Sequence, residues 1–489
     1  MFAYPRQDIV AGIVVFLVAL PLCLGIAVAC GVPPVSGLVA GAVGGLVVPW
    51  LSRSPLSVTG PAAGLTAIVL TEIEVLGSFE LFLTATLIAG VLQVLLGVLR
   101  SGRYAALVPS AVIKGMLAAI GITIIWKQIP AAFGVNGGLG DILGHVHLGA
   151  LLVTAVSLVV LYGWKHTPLG KSAFLSPALI VVVASSAMAA AFGGHATLGL
   201  SPEQFVDVPL GGVQALAAAL PRPDFAGLAM PSVWIAAVTV AVVASIETLL
   251  SLQAVDRLDP LRRTSPPDRE LLAQGAANAA SGFFGGLPVT AVIVRSGANV
   301  AAGGRERLSA LVHGVLLVLA VVVAASLLNM IPLAALAAVL IQVGLNLCKP
   351  ALFSSQAKLG WTQLAPFALT IIAVLALDLL KGVIVGIVVG IGFVLFQNAR
   401  GALAQERAPN GSLVLRFRRD GTFLSKPSII AALEAVDEGE RVLIDGTGEY
   451  IDHDVKEVLA TFLADAPRRN ILATVTGIDL SMASVGGGH

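Results

Sequence analysis

Apolar stretches of membrane-spanning length recur along this chain, and they limit its fold more than any other feature. A helix needs about 20 consecutive apolar residues to cross the hydrocarbon core of a bilayer, and such stretches follow one another from residue 8 to residue 398. Only 12% of the 489 residues are charged and 57% are hydrophobic, whereas soluble domains carry about 25% charged residues. The sequence therefore predicts an all-α polytopic membrane protein over residues 1–400.

The hydropathy pattern predicts about fourteen spans. They cover residues 8–30, 33–51, 59–76, 81–99, 106–126, 147–164, 175–193, 231–256, 269–286, 290–302, 307–328, 331–347, 364–379 and 381–398. The first stretch is too long for a signal-peptide core and lacks a cleavage pattern, so we expect it to be retained as a span.

Positive charge alternates between the two ends of these spans. If the N-terminus is cytoplasmic, basic residues gather on the inner side and only Lys127, Arg222 and Lys381 fall outside. The inner set is Arg6, Arg53, Arg100, Arg103, Lys165, Lys171, Arg257, Arg262, Arg263, Arg269, Arg305, Arg307, Lys349, Lys358 and Arg400. The positive-inside rule then predicts an inner-membrane protein with both termini in the cytoplasm.

Two apolar segments are interrupted by glycine and proline. These are SVTGPAAGLTAIV (57–69) and LPVTAVIVRSGAN (287–299), the third span of each half if the chain divides near Pro231 into repeats of about 8–225 and 231–398. Seven spans per half is an odd number, so the second half enters the membrane inverted. Paired interrupted helices indicate a midplane site, where unpaired N–H groups and positive dipole ends can bind an anion.

One carboxylate, Glu247, lies near the centre of the span that begins at Pro231. An acid inside the membrane indicates a functional site, although it could also be a structural partner of Arg295, since buried charges are normally paired. Arg295 could instead extend from the end of its half-helix into the cytoplasm. The hydroxyls of Thr59, Thr66 and Thr290 could contact an anion or simply satisfy helix carbonyls.

Four segments together resemble the SulP (sulfate permease) family of anion transporters. They are DIVAGIVVFLVALPLCLGIAVACG, LSVTGPAAGLTAIV, ASIETLL and GGLPVTAVIVRSGANVAAGG, in that order. The resemblance implies a 7+7 inverted repeat of the uracil-permease type, a homodimer, and a core domain (spans 1–4 and 8–11) that moves like an elevator against a gate domain (spans 5–7 and 12–14). It implies sulfate, bicarbonate, chloride, oxalate or dicarboxylates as substrates.

Carried over residue by residue, the resemblance implies one helix start at Gly60–Ala63 and another at Val289–Ile293. The substrate-binding set is then Gly60, Ala62, Ala63, Thr66, Val289, Thr290, Ala291, Val292, Ile293 and Arg295, with Glu247 and Ser251 as the coupling residues. Sodium-dependent bicarbonate members have threonine where this chain has Ile293 and Ser251, and aspartate at Glu247. The missing hydroxyl at Ile293 favours proton coupling over sodium coupling.

From Gly411 the composition becomes that of a soluble domain. LVLRFRR, RVLIDG and NILATVT are predicted strands, and KPSIIAALEAV and DHDVKEVLATFLADA are predicted helices. This βαβαβ order resembles an abbreviated STAS domain, so we expect a small cytoplasmic α/β domain at 411–476 and a disordered tail at 477–489.

We therefore expect a secondary transporter of bicarbonate or sulfate, with a proton as the preferred coupling ion, and with lipid and a second copy as partners. The sequence has no nucleophile–base set, and its three cysteines lack metal-ligand spacing. We thus expect no enzyme, cofactor, metal or nucleic-acid partner. The alternatives are an uncoupled anion channel or exchanger, a dicarboxylate transporter, a nucleobase transporter and a membrane signalling scaffold.

The predicted orientation can be tested with reporter fusions. Green fluorescent protein fluoresces and alkaline phosphatase stays inactive when either is fused after a cytoplasmic residue. We expect this pattern for fusions at Arg100 and at the C-terminus, and the reverse pattern at Arg222. Active phosphatase at Arg100 would contradict the charge argument.

Overall fold

The computed structural model describes residues 2–103, 108–135, 146–167, 176–377, 379–400 and 402–480. Contacts divide the chain into two compact units. The first comprises Met1–Lys358 with Phe367–Val385, and the second comprises Leu359–Pro366 with Gly386–His489. The boundaries drawn from composition, at residues 400 and 411, stay predictions.

Helices dominate the described residues up to 400, and these residues contain one three-residue strand in each half. The first half contains α1 (Pro5–Ala29), α2 (Pro34–Leu51), β1 (Thr59–Pro61), α3 (Thr66–Leu76), α4 (Phe79–Val98), α5 (Ser110–Ala132), α6 (Leu148–Gly163), α7 (Pro177–Ala191) and the short α8 (Gly212–Ala219). The second contains α9 (Pro231–Leu258), α10 (Pro267–Phe283), β2 (Val289–Ala291), α11 (Ile293–Ala301), α12 (Leu308–Val323), α13 (Ala325–Leu328), α14 (Leu333–Leu347), α15 (Pro350–Lys358), α16 (Trp361–Ala376) and α17 (Leu379–Arg400).

Each of the fourteen predicted spans overlaps at least one of these helices. Seven helices in the described part of the chain are long and apolar enough to cross a membrane if α14 and α15 are taken together as Leu333–Lys358, and α6, α7, α12 and α16 are shorter apolar helices. The remaining three spans contain α3, α11 and α10. The half-helices α3 and α11 are short because glycine and proline precede them, whereas α10 carries buried Glu270, Gln274 and Asn278 on one face.

Glycines let pairs of helices pack with their backbones in contact. A Cβ on Gly90 of α4 would lie 2.5 Å from the carbonyl oxygen of Gly275 in α10, and a Cβ on Gly275 would lie 2.6 Å from the carbonyl oxygen of Gly90. Gly45 of α2 and Gly314 of α12 approach one another in the same way. Helices in a bilayer associate through such small residues because lipid gives no hydrophobic drive between them.

The second unit contains a four-stranded mixed sheet. Its elements are β3 (Leu403–Arg407), β4 (Leu413–Phe417), α18 (Lys426–Glu434), β5 (Arg441–Asp445), α19 (His453–Asp465) and β6 (Leu472–Thr476). The strand order is β3-β4-β5-β6, antiparallel at β3–β4 and parallel elsewhere. The core between sheet and helices contains the fully buried Leu415, Ile429, Ile444, Val455 and Leu459.

The βαβαβ order predicted for this segment is confirmed, with one addition. Strand β3, whose sequence is LAQER, was not predicted. It is an edge strand. Its pairing with β4, from Leu403 opposite Phe417 to Arg407 opposite Leu413, holds it in place, because its own sequence has no apolar pattern. Residues 481–489 of the predicted disordered tail lie outside the described residues.

The glycine contact between α4 and α10 gives a stability test. We expect Gly275→Ala to lower the free energy of unfolding by about 1–3 kcal/mol, because the new methyl group would overlap backbone atoms of α4. The measurement is the thermal unfolding midpoint of the detergent-purified protein. Gly163→Ala is the matched control, since a Cβ there meets nothing within 4 Å; equal midpoints for the two variants would contradict this packing argument.

Candidate functional site

The two interrupted segments meet in the first unit as a short antiparallel strand pair. Thr59 of β1 lies opposite Ala291 of β2, Gly60 opposite Thr290, and Pro61 opposite Val289. One further backbone bond, from the Val292 N–H to the Val58 carbonyl at 2.9 Å, extends the pairing. The strands bring equivalent positions of the two repeats together.

The helices begin at the last residue of each expected start. The expected starts were Gly60–Ala63 and Val289–Ile293; a 3-10 turn begins at Ala63 and leads into α3, and α11 begins at Ile293. The reason is that extended backbone on each side can pair with the other strand. Gly60, Val289, Thr290 and Ala291 therefore belong to the strand pair.

A cavity of about 140 Å³ lies beside this strand pair. Water in the liquid occupies roughly 30 Å³ per molecule, so the cavity has room for a small ion with few waters. Seven of the predicted site residues line it: Ala62, Ala63, Glu247, Ser251, Val292, Ile293 and Arg295. Gly60, Thr66, Val289, Thr290 and Ala291 are not among the lining residues.

Two helix N-termini lead away from this cavity. The first N–H groups of a helix have no partner inside the helix, which applies to Ile293, Val294 and Arg295 at the start of α11. At the other start, Leu65 and Thr66 already bond back to Ala62 and Ala63, which leaves the N–H groups of Ala63 and Gly64. These groups and the two helix dipoles create positive potential where the segments face the cavity.

Glu247 is half-buried on α9, and it lines the cavity. Its carboxylate lies against Gly64, so close that a Cβ on Gly64 would overlap both carboxylate oxygens. The buried Oε2 atom has no hydrogen-bond partner in the described part of the chain. The structural alternative, an ion pair with Arg295, is not present among the described residues, and the acid therefore faces the cavity unpaired.

Arg295 is completely buried, so the alternative in which it extends to the cytoplasm is wrong. Its Nη2 group donates to the Pro61 carbonyl at 3.3 Å, while Nε and Nη1 have no partner among the described residues. A Cβ on Gly60 would overlap Nη1, so only glycine admits the guanidinium at this place. The result is a buried positive charge that lines the cavity beside the strand pair.

Helix α10 holds both strands through side chains spaced four residues apart. Gln274 donates to the Thr59 hydroxyl at 2.7 Å. Asn278 bonds both backbone groups of Val289, accepting from its N–H at 2.6 Å and donating to its carbonyl at 3.0 Å. The Asn278 amide also donates to Gln93 of α4 at 2.6 Å.

Sequence reasoning missed most of this support. Asn278 could be identified only as a polar residue between helices, and Gln274, Gln93, Thr248 and Gly64 gave no separate signal. The four-residue spacing of Glu270, Gln274 and Asn278 could have indicated one polar helix face.

The threonine hydroxyls have protein partners in two of the three predicted cases. Thr59 accepts from Gln274, and the Thr290 hydroxyl donates to the Ala291 carbonyl at 3.3 Å. Thr248, one residue after Glu247, accepts the Ala291 N–H at 3.4 Å. For Thr59 and Thr290 the structure thus favours hydrogen bonding to backbone and side-chain groups over contact with an anion.

The opposite wall of the cavity is apolar. Met116 and Leu117 come from α5, and Val343 and Leu347 come from α14. No group of three or more His, Cys, Asp or Glu side chains that could hold a metal occurs in the described ranges. A cavity between half-helix N-termini, with one unpaired acid and one buried guanidinium, defines a class, that of polytopic membrane transport proteins with a central site.

Comparison with known proteins identifies the family within this class. The family model described as the sulfate permease family matches residues 6–374, and the chain belongs to that family. It is 27% identical over 492 residues to the putative sulfate transporter YbaR of Bacillus subtilis, an alignment that covers 99% of this chain and 97% of that protein. It is 26% identical over 354 residues to the bicarbonate transporter BicA of Picosynechococcus sp., covering 70% of this chain and 62% of the relative.

Solved structures agree with the fold. SLC26A9 aligns with a TM-score of 0.81 at 16% identity, covering 98% of this chain and 86% of that structure. The transmembrane domain of a cyanobacterial BicA aligns with a TM-score of 0.66 at 23% identity, covering 79% of this chain and 98% of that structure. The predicted polytopic 7+7 inverted-repeat fold is confirmed, and the named relatives are transporters rather than enzymes.

The clamp between Asn278 and Val289 gives a second stability test. Asn278→Ala would leave a buried N–H and a buried carbonyl without partners, and each such group costs about 1–3 kcal/mol. We expect a lower thermal unfolding midpoint in detergent. Asn346→Ala is the control, because Asn346 is exposed on α14; if both variants unfold at the wild-type temperature, the clamp does not stabilise the site.

Proposed function

We propose that this chain carries a small inorganic anion, bicarbonate or sulfate, across the cytoplasmic membrane, coupled to protons. The observation that carries the proposal is the cavity of about 140 Å³ at which the α3 and α11 N-termini converge, with the unpaired Glu247 carboxylate at its edge. The names of the relatives, transporters of sulfate and bicarbonate, support the same substrate class.

Backbone and Arg295 would supply the attraction for the anion. The N–H groups of Ala63, Gly64, Ile293 and Val294 are donors that need no full charge, and oriented donors bind an anion at helix N-termini. Arg295 adds a full charge that is buried and therefore poorly screened. Because these groups recognise charge more than shape, sulfate and bicarbonate both fit the proposal.

Glu247 would couple transport to protons. An ionised carboxylate at the α3 N-terminus competes with the substrate for the same positive potential and repels it. Protonation removes this repulsion, so a proton and an anion would enter together and leave together. Ile293 supports the choice of proton over sodium, since it places an aliphatic side chain at the start of α11, where the family resemblance implies a hydroxyl in sodium-dependent members.

An elevator-like motion would carry the site across the membrane. Substrate-facing groups come from α1, α3, α9 and α11, which lie in the proposed core, whereas Met116, Leu117, Val343 and Leu347 come from α5 and α14 of the proposed gate. These four apolar side chains form no hydrogen bond or ion pair with the core, which favours sliding of the core against the gate. We extend the proposal to a homodimer with both termini in the cytoplasm and a STAS-like second unit.

Proteoliposome uptake tests the proposal directly. We expect labelled bicarbonate or sulfate to accumulate when an inward proton gradient is imposed, and Glu247→Gln to abolish the gradient-driven accumulation because the side chain can no longer release a proton. A sodium gradient alone should drive nothing.

Glu74→Gln is the matched control, since Glu74 is an exposed acid near the end of α3. Sodium-driven accumulation would contradict the coupling ion. Gradient-independent flux, equal in the wild type and Glu247→Gln, would indicate a channel or an uncoupled exchanger instead.

A further inference from the structure

A second cavity lies in the first unit, away from the strand pair, and we call it the basic cleft. Its volume is about 840 Å³, within the roughly 300–1,000 Å³ typical of small-molecule sites. Three loops line it: the α2–β1 loop with Arg53 and Pro55, the α9–α10 loop with residues 263–266 and the first residue of α10, and the α11–α12 loop with Glu306 and Arg307. The charged lining residues are three arginines and one glutamate.

Arg307 is held in place by the end of α2. Its Nη1 group donates to the Pro49 carbonyl at 3.2 Å and to the Ser52 carbonyl. These bonds fix the guanidinium and use only one of its three nitrogens, so Nε and Nη2 have no protein partner in the described part of the chain. A fixed guanidinium loses little side-chain entropy when it binds a ligand.

Arg263 engages two acids at the cleft, Asp259 and Glu306. It bonds both oxygens of Asp259, at 2.7 and 3.4 Å, and its Nη1 donates to Glu306 at 3.0 Å. Burial raises the pKa of the Asp259 carboxyl, but hydrogen bonds from Arg263 and Leu261 outweigh it and hold this pKa below its usual value. Asp259 is therefore ionised at neutral pH. Both acids are occupied by Arg263 and oppose an incoming anion less than unpaired acids would.

Arg53 completes the cleft from the opposite loop. Its side chain is exposed, and it has no hydrogen bond or ion pair among the described residues. Together with Arg307 it presents two guanidinium groups that protein acids do not neutralise.

We propose that the basic cleft binds a phosphoryl anion between Arg53 and Arg307. Guanidinium forks match the oxygens of a phosphoryl group bidentately, which favours this ligand class over a monovalent halide. The phosphoryl group could belong to a soluble phosphate compound or to the headgroup of an anionic lipid. Its binding would join the loop that leads into β1 to the loop that follows α11.

Titration of the purified full-length chain with inorganic pyrophosphate tests the proposal. We expect saturable binding by calorimetry in phosphatidylcholine nanodiscs. Arg53→Ala should weaken it about tenfold or more, as expected for the loss of a hydrogen-bonded charged group, and Arg53→Lys should weaken it less. Arg6→Ala is the control, because Arg6 is an exposed arginine on α1 that is not among the residues lining the cleft.

Three results would overturn the proposal: no saturable binding to the wild type, wild-type affinity in Arg53→Ala, or equal weakening in Arg6→Ala, which would mean only general attraction by positive charge. Repeating the titration in phosphatidylglycerol nanodiscs distinguishes the two sources. If the lipid headgroup occupies the cleft, pyrophosphate binds the wild type more weakly in phosphatidylglycerol nanodiscs than in phosphatidylcholine nanodiscs, and Arg53→Ala removes that difference. If a soluble phosphate compound occupies the cleft, the change of lipid alters the pyrophosphate affinity of the wild type no more than that of Arg6→Ala.

Discussion

The antiparallel pairing of β1 with β2 is the interaction on which the rest of the first unit depends. Three residues from each repeat, Thr59–Pro61 and Val289–Ala291, give extended backbone partners inside a segment of membrane depth. Unpaired backbone is costly there, so irregular chain survives only where protein or a water-filled cavity surrounds it. Once the strands pair, α3 and α11 must both begin beside the pair, and their N–H groups converge on one cavity.

The strand pair in turn requires polar side chains within otherwise apolar helices. Gln274 and Asn278 on α10 bond β1 and β2 respectively, and Gln93 links α10 to α4. These helices pack closely because Gly90 and Gly275 let their backbones touch. The polar side chains that lower the hydropathy of α10 therefore also position the site.

Two charged groups line the central cavity. Arg295 is fully buried and lies against Gly60, while Glu247 lies against Gly64. The two groups do not pair, so the cavity keeps both a buried positive charge and a carboxylate whose Oε2 has no hydrogen-bond partner in the described part of the chain. The basic cleft differs from this site, because its Arg263 pairs with Asp259 and Glu306 and its larger volume lies between loops.

The sequence by itself determined the number of spans, the two interrupted segments, the βαβαβ order of the second unit and the presence of intramembrane charges at Glu247 and Arg295, because hydropathy, glycine and proline, and intramembrane charge act locally. It could not determine that Gly60 and Val289–Ala291 form strands or that Arg295 is buried and unpaired with Glu247. It also missed the clamps by Gln274 and Asn278. Those outcomes depend on which segments meet across more than 200 residues of chain. Only the tertiary structure brings those backbones and side chains within hydrogen-bonding distance.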